Sequence, residues 1–85
     1  MILEILQKLF WKKIKEETLL EEREFQATMK YIVEALKERG YDPYAQITGY
    51  VTENEPTYIT SYKGARQLIL TLDIEQVKQF LKGMQ

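Results

Sequence analysis

The fold of this chain is decided in its middle, by the stretch Gly40-Tyr41-Asp42-Pro43-Tyr44-Ala45-Gln46-Ile47-Thr48-Gly49-Tyr50-Val51. Gly40 follows a helical pattern and is placed to end it, because glycine adopts the left-handed conformation that lets the last carbonyls of a helix accept Schellman hydrogen bonds. Asp42 and Pro43 match the N-cap and the first position of a new helix. The stretch therefore predicts the end of one helix and the start of another.

Beyond this start, the same residues fit two structures. As a helix, they form one apolar face, which consists of Tyr44, Ile47 and Val51, and Gly49 lets another segment approach closely. As strands, residues 47–52 and 57–62 are rich in β-branched and aromatic side chains and flank a turn at residues 53–56. Propensity alone favours this hairpin by a small margin.

Helical periodicity is clearest just before Gly40. The apolar side chains there recur at i, i+4, i+7, i+8 and i+11, and they are Phe25, Met29, Ile32, Val33 and Leu36. An amphipathic helix is also predicted over residues 2–15, with an apolar stripe of Leu3, Leu6, Phe10 and Ile14. Between the two, residues 16–24 are dense in glutamate, which is typical of a solvated hinge or a helix start.

The apolar stripe of residues 2–15 has two interpretations. It packs against the domain's own core or a dimer mate, or it belongs to a basic amphipathic helix that lies on a membrane surface. Trp11 stands apart from the main stripe and fits either interpretation, as an interface anchor or as a membrane marker. We expect protein packing rather than a membrane surface.

Two further helices are predicted in the last third of the chain. Thr60 or Ser61 can cap a helix whose core face is Ala65, Leu68, Ile69 and Leu72. Asp73 then caps a final helix whose apolar stripe is Ile74, Val77, Phe80, Leu81 and Met84. No repeat, linker or low-complexity tract divides the sequence, so residues 1–85 are predicted to form a single domain.

Composition excludes most catalytic chemistry. The chain has no cysteine and no histidine, which removes thiolate nucleophiles, imidazole bases, Ser-His-Asp triads and the ordinary zinc sites. Its four glycines are too scattered to form a phosphate-binding loop. We therefore expect no enzymatic activity, no metal and no cofactor.

Charge and hydropathy narrow the class of partner. Twelve basic residues nearly balance thirteen acidic ones, so the positive field that attracts nucleic acid is missing and no nucleic-acid partner is expected. The N-terminus lacks the features of a signal peptide, and no apolar run is long enough to span a membrane. A domain of 85 residues buries only roughly 60–65 % of its unfolded surface. Its stability is therefore expected to be low, and a homodimer is expected because self-association buries more apolar surface.

Three blocks in fixed order stand out. They are residues 40–51, then Glu55-Pro56-Thr57-Tyr58-Ile59-Thr60, then Ala65-Arg66-Gln67-Leu68-Ile69. Together they resemble the IreB family of small regulatory phosphoproteins from low-GC Gram-positive bacteria, over residues 28–82. The resemblance implies a cytoplasmic, all-helical homodimer without catalysis that acts downstream of a membrane Ser/Thr kinase with extracellular cell-wall-binding repeats. It also implies an influence on envelope stress responses and peptidoglycan synthesis, exerted through a downstream regulatory protein.

The resemblance decides between helix and hairpin. In that family the stretch corresponding to residues 46–51 is helical, so the predicted fold class is all-α. We expect a small domain of about five helices that forms an intertwined or packed homodimer, with residues 28–82 as its family-like core. Residues 1–20 are expected to form a divergent amphipathic helix, at the place where family members usually carry a short flexible arm with phosphorylated threonines.

Two threonines are candidates for phosphorylation. Thr18 lies among acidic residues, where a phosphate would add roughly −1.5 to −2 charge and repel neighbouring carboxylates. Thr28 lies on the predicted helix, where a kinase reaches it only after local unfolding. The alternative for Thr18 is an unmodified, exposed or helix-capping threonine.

Four residues are candidates for binding a partner protein, because tyrosine and arginine are enriched at binding hot spots. They are Tyr58, Tyr62, Lys63 and Arg66. The alternative for the two basic residues is a surface ion pair with an acid such as Glu55. Gln46 and Gly49 are expected to serve close helix packing rather than ligand binding.

Overall fold

The computed structural model describes residues 2–84 and the side chains of residues 6–84. Its first element is a single long helix. This helix, α1, runs from Ile2 to Glu38, and its length of about 55 Å nearly equals the 58 Å long dimension of the molecule. The hinge interpretation of residues 16–24 is wrong. Glutamate, leucine and arginine favour helix, and the sequence holds no glycine or proline between residues 2 and 38 that would interrupt it.

The predicted helix end at Gly40 is confirmed. Gly40 has φ +90°, its N–H donates to the Lys37 carbonyl at 2.9 Å, and the N–H of Tyr41 donates to the Leu36 carbonyl at 2.9 Å. These two bonds are the Schellman pattern. They turn the chain sharply out of α1.

The next helix, α2, runs from Pro43 to Glu53, so residues 47–62 form no hairpin. The Asp42 carboxylate accepts hydrogen bonds from the backbone N–H groups of Tyr44 at 3.0 Å and Ala45 at 3.4 Å, which is the predicted N-cap. Two capped N–H groups and the fixed φ of proline outweigh the modest strand propensity of the following residues.

Short elements complete the chain. Two single 3₁₀ turns, Pro56–Tyr58 and Tyr62–Gly64, precede α3 (Ala65–Ile69) and α4 (Ile74–Gly83). The Asp73 carboxylate accepts from the N–H of Glu75 at 2.8 Å, which confirms the predicted cap of α4. The all-α class is confirmed for residues 2–84, with four α-helices. The expected count of about five is not met, because the two helices predicted before Gly40 are one.

The core lies against the C-terminal half of α1. Its buried side chains are Met29, Ile32, Ala35, Leu36, Ile47, Tyr50, Ile59, Ala65, Ile69, Val77 and Leu81. Phe25 marks the N-terminal limit of this packing, where its ring meets that of Phe80 edge to face at 6.3 Å. The N-terminal half of α1 projects beyond the core and leaves large apolar side chains exposed, namely Leu6, Leu9, Phe10, Trp11, Leu19 and Leu20.

Candidate functional site

A polar cluster fastens the Tyr62–Gly64 turn to the end of α1. The two oxygens of Glu38 are both engaged: Oε1 accepts from the Tyr62 hydroxyl at 2.9 Å, and Oε2 lies 2.6 Å from the Lys63 ammonium. The Tyr31 hydroxyl donates to the Lys63 carbonyl at 2.8 Å. We call Tyr31, Glu38, Tyr62 and Lys63 the clasp.

The clasp shifts the titration of its own members. The hydrogen bond from Lys63, followed by that from Tyr62, lowers the pKa of Glu38 below its ordinary value. The hydrogen bond to Glu38 in turn raises the pKa of Tyr62 and that of Lys63. The Lys63 ammonium also lies 5.6 Å from the centre of the Tyr62 ring. Near neutral pH, Tyr62 and Lys63 are therefore protonated and Glu38 is ionised. Both donors keep their hydrogen bonds to the Glu38 carboxylate.

Arg66 is used inside the fold. Its Nε–H donates to the carbonyl of Ile59 at 2.8 Å from a partly buried position. The alternative of a surface ion pair holds for Lys63, whose acid is Glu38 and not Glu55. Glu55 accepts from the backbone N–H of Thr57 at 3.2 Å. Arg66 therefore anchors the segment between α2 and α3, and its hydrogen bond gives the Ile59 carbonyl a donor.

Gly49 and Gln46 serve packing, as predicted. A Cβ atom on Gly49 would lie only 2.5 Å from Cδ1 of Tyr58, so the ring of Tyr58 covers the bare backbone of α2. The Gln46 side-chain oxygen accepts from the N–H of Thr60 at 3.3 Å. Tyr58 itself remains 46 % exposed, so part of this residue is accessible to solvent.

The structure brings together only two of the four predicted partner-binding residues. Tyr62 and Lys63 both bind the Glu38 carboxylate. The Tyr58 ring packs against Gly49 of α2, and Arg66 donates to the Ile59 carbonyl. No pattern in the sequence indicates that Glu38 and Tyr31 are the partners of Tyr62 and Lys63. These contacts join residues that are 24 to 32 positions apart in the sequence, so a local sequence pattern does not predict them.

The two candidate threonines have different environments. Thr18 is exposed and lines a shallow apolar groove on the projecting half of α1, formed with Trp11, Ile14, Lys15 and Leu19. Thr28 is partly buried, and its hydroxyl donates to the Glu24 carbonyl at 2.9 Å. It lines a groove with acidic walls, which include Glu21, Glu24 and Asp73. The helical spacing of Trp11, Ile14 and Thr18 was readable from the sequence, but Trp11 was set apart from the stripe.

Two further features were searched for in the described part of the chain. Within residues 2–84, no three carboxylate, histidine or cysteine side chains gather in a way that would hold a metal ion. Over the same residues, no helix combines the length and the apolarity needed to cross a bilayer.

Comparison with known proteins gives one family. The family model described as IreB regulatory phosphoprotein matches residues 9–82. A protein from Ruminiclostridium cellulolyticum named "UPF0297 protein" is 40 % identical over 63 residues, which cover 69 % of this chain and 72 % of the relative. The family match extends across the core and includes most of the projecting half of α1.

Proposed function

The chain belongs to the IreB family, and from that premise we propose that it is a non-catalytic regulatory protein of the cytoplasm that acts by binding other proteins, with its binding state set by threonine phosphorylation. In this proposal the chain is a homodimer and the substrate of a membrane Ser/Thr kinase. It passes the signal to a downstream regulatory protein in the control of envelope stress and peptidoglycan synthesis. The family's description as a regulatory phosphoprotein supports the general role.

The observation that carries the proposal is the position of Thr18. Thr18 lines an apolar groove together with Ile14 and Leu19, and Glu21 and Glu22 lie one turn further along the same helix. A phosphate there would bring roughly −1.5 to −2 charge into a surface suited to an apolar partner. Desolvation of that charge and repulsion by the two carboxylates would weaken any complex made through the groove.

Thr18 is a better kinase substrate than Thr28 on physical grounds. Kinases act on extended segments, so a helical threonine must first unfold locally. The projecting half of α1 carries exposed apolar side chains and lacks the tertiary packing that would oppose such opening. Thr28 is held by its bond to the Glu24 carbonyl and stands one residue before the fully buried Met29, so opening at that point costs core packing.

The partner-binding role of Tyr58, Tyr62, Lys63 and Arg66 remains a proposal of its own. The half-exposed side chains of Tyr58 and Lys63 support it, since both can add contacts to a partner without leaving their places. Arg66 would then act indirectly, by holding the backbone that carries Tyr58.

Incubation with the membrane Ser/Thr kinase of the same cell, followed by mass spectrometry of proteolytic peptides, tests the switch. We expect one phosphate on Thr18, little on Thr28, and loss of the signal in Thr18→Val, which keeps the shape of the side chain. Phosphate on neither threonine would contradict the proposal.

A second candidate function is that of a constitutive adaptor that docks on a membrane or on a partner helix without modification. The exposed Phe10 and Trp11 beside Lys8, Lys12 and Lys13 favour it. Co-sedimentation of the full chain with anionic vesicles, compared with Trp11→Glu, tests the membrane version. Pelleting that Trp11→Glu abolishes and that kinase treatment leaves unchanged would favour the adaptor over the switch.

A further inference from the structure

Two cations lie against the Tyr62 ring, beside the C-terminal end of α1. The Arg39 guanidinium carbon lies over the ring, 5.8 Å from its centre, and the Lys63 ammonium lies 5.6 Å from the same centre. Arg39 is exposed, whereas Tyr62 is partly buried. Contact with an aromatic face restricts the long arginine side chain, so Arg39 presents a preordered cation at the surface.

The two cations differ in their acidic partners. The Lys63 ammonium lies 2.6 Å from Oε2 of Glu38, and the other oxygen of Glu38 accepts from the Tyr62 hydroxyl at 2.9 Å. Among the described side chains, no carboxylate lies within 4.0 Å of the Arg39 guanidinium. The charge of Lys63 is therefore matched inside the fold, while the charge of Arg39 is available to a ligand.

We propose that Arg39, stacked on Tyr62, binds a carboxylate in an acidic segment of a partner protein. A guanidinium holds its N–H donors in a planar fork that matches a carboxylate with two parallel hydrogen bonds. Contact through the face of the guanidinium leaves the donors at its edge available. The proposal rests on the partner-binding role in the proposed function, and it adds Arg39 as a contact residue and an acidic protein segment as the ligand.

The surroundings of Arg39 favour a carboxylate over a phosphate. Arg39 directly follows Glu38 in the sequence and stands just beyond the C-terminal end of α1, where the helix dipole is negative. The Glu38 carboxylate and the dipole both repel a doubly charged phosphate more strongly than a singly charged carboxylate.

The neighbouring rings favour a polypeptide as the carrier of this carboxylate. The Tyr31 hydroxyl donates to the Lys63 carbonyl at 2.8 Å, and Tyr31 is 44 % exposed. Tyr31 therefore offers accessible surface close to the Tyr62 ring. Tyrosine and arginine are residue types enriched at protein-binding hot spots, and residues that flank an acid in a polypeptide can contact these rings.

An NMR titration of the full ¹⁵N-labelled chain with a blocked hexaglutamate peptide tests the proposal. We expect saturable shifts of the Arg39 Nε–H signal and of the Gly64 amide signal. Blocked hexaglutamine, which has the same length and no charge, should shift neither. Hexaglutamate with one residue replaced by phosphoserine should bind no more tightly than hexaglutamate itself.

Variants assign the binding to the guanidinium. Arg39→Gln should weaken hexaglutamate binding roughly tenfold, as followed on the Gly64 amide. Arg39→Lys should lose most of the same affinity, because an ammonium lacks the planar fork. Lys37→Gln is the matched control, since it removes an exposed positive charge from the same end of α1 and should change the affinity by about twofold or less.

Four results would overturn the proposal. Equal weakening by Arg39→Gln and Lys37→Gln would mean attraction by net charge alone, and full affinity in Arg39→Gln would exclude the guanidinium. Shifts confined to residues 8–15 would place the peptide on the lysines there, and tighter binding of the phosphoserine peptide would make phosphate the ligand. These results do not depend on phosphorylation of Thr18, so the regulatory switch of the proposed function stands or fails separately.

Discussion

The ring of Tyr58 lies against the bare backbone of Gly49, so closely that a Cβ atom on residue 49 would stand 2.5 Å from Cδ1 and 2.9 Å from Cγ. Gly49→Ala should therefore force the ring away, at an overpacking cost of about 1–3 kcal/mol that exceeds the helix-propensity gain of at most about 1 kcal/mol. We expect the free energy of unfolding, measured by urea denaturation, to fall by about 1 kcal/mol.

The matched control for this contact is the same change without the ring. In a Tyr58→Ala background, Gly49→Ala should raise the free energy of unfolding by about 0.5–1 kcal/mol, because only the helix propensity remains. An equal loss in both backgrounds would show that the ring is not the cause.

Ile59 is a core residue that stands outside every α-helix. It is fully buried between the two 3₁₀ turns, so Ile59→Ala should lower the free energy of unfolding by about 2–5 kcal/mol. Leu70→Ala is the control, because Leu70 is 54 % exposed and its truncation should change stability by about 0.5 kcal/mol or less. Similar values for the two variants, measured by thermal or urea unfolding, would contradict the packing described here.

Arg66 is expected to act on stability before it acts on binding. Arg66→Ala leaves the Ile59 carbonyl without its donor and should cost about 1–3 kcal/mol. Arg66→Lys should not restore the loss, since lysine lacks the Nε–H that makes the bond. Arg23→Lys, on the exposed projecting helix, is the control for the change of cation. Stability equal to that of the unmodified protein in Arg66→Ala would instead make Arg66 a surface residue available to a partner.

Glu38 makes stability depend on pH in a stated direction. Its pKa is lower in the folded chain than in the unfolded one, so its contribution is complete above the ordinary carboxyl value and is lost as the pH falls through the lowered pKa. Tyr62 and Lys63 have raised pKa values, so their contributions are present below their ordinary values and are lost as the pH rises.

At acid pH the Glu38 carboxylate of the unmodified protein becomes protonated and loses its contribution to stability. The urea midpoint of Glu38→Gln should therefore fall less with decreasing pH than that of the unmodified protein. Glu34→Gln is the control: Glu34 is exposed on the same helix and forms no ion pair within 4.0 Å among the described residues. If the urea midpoint of Glu38→Gln falls with decreasing pH as steeply as that of the unmodified protein, or if both variants reduce the fall equally, the clasp does not contribute to the pH dependence of stability.

Local chemistry accounts for the parts of the fold that were predicted. Gly40, Asp42 and Asp73 act on N–H and carbonyl groups within a few residues of themselves, so their roles follow from the sequence alone. The error at residues 16–24 came from treating charge density as a hinge, although glutamate is a good helix former. In this segment the absence of glycine and proline was the better signal.

The candidate site was harder to predict because its contacts are distant in sequence. Tyr62 and Lys63 were identified by residue type, but Glu38 reaches them only after α1, α2 and two turns have packed. Thr18 was identified by its acidic neighbours, whereas its place in an apolar groove depends on α1 continuing through residue 16 as an unbroken helix. The sequence thus identifies candidate residues by type, whereas their surroundings depend on long-range packing.

Light scattering of the chain with and without a phosphate on Thr18 shows whether phosphorylation changes its molar mass in solution. We expect twice the 10.1 kDa chain mass for the unmodified protein and the single-chain mass when phosphothreonine occupies position 18. The same dimer in both samples, or a monomer in both, would contradict the proposal that a phosphate on Thr18 sets the binding state of the chain.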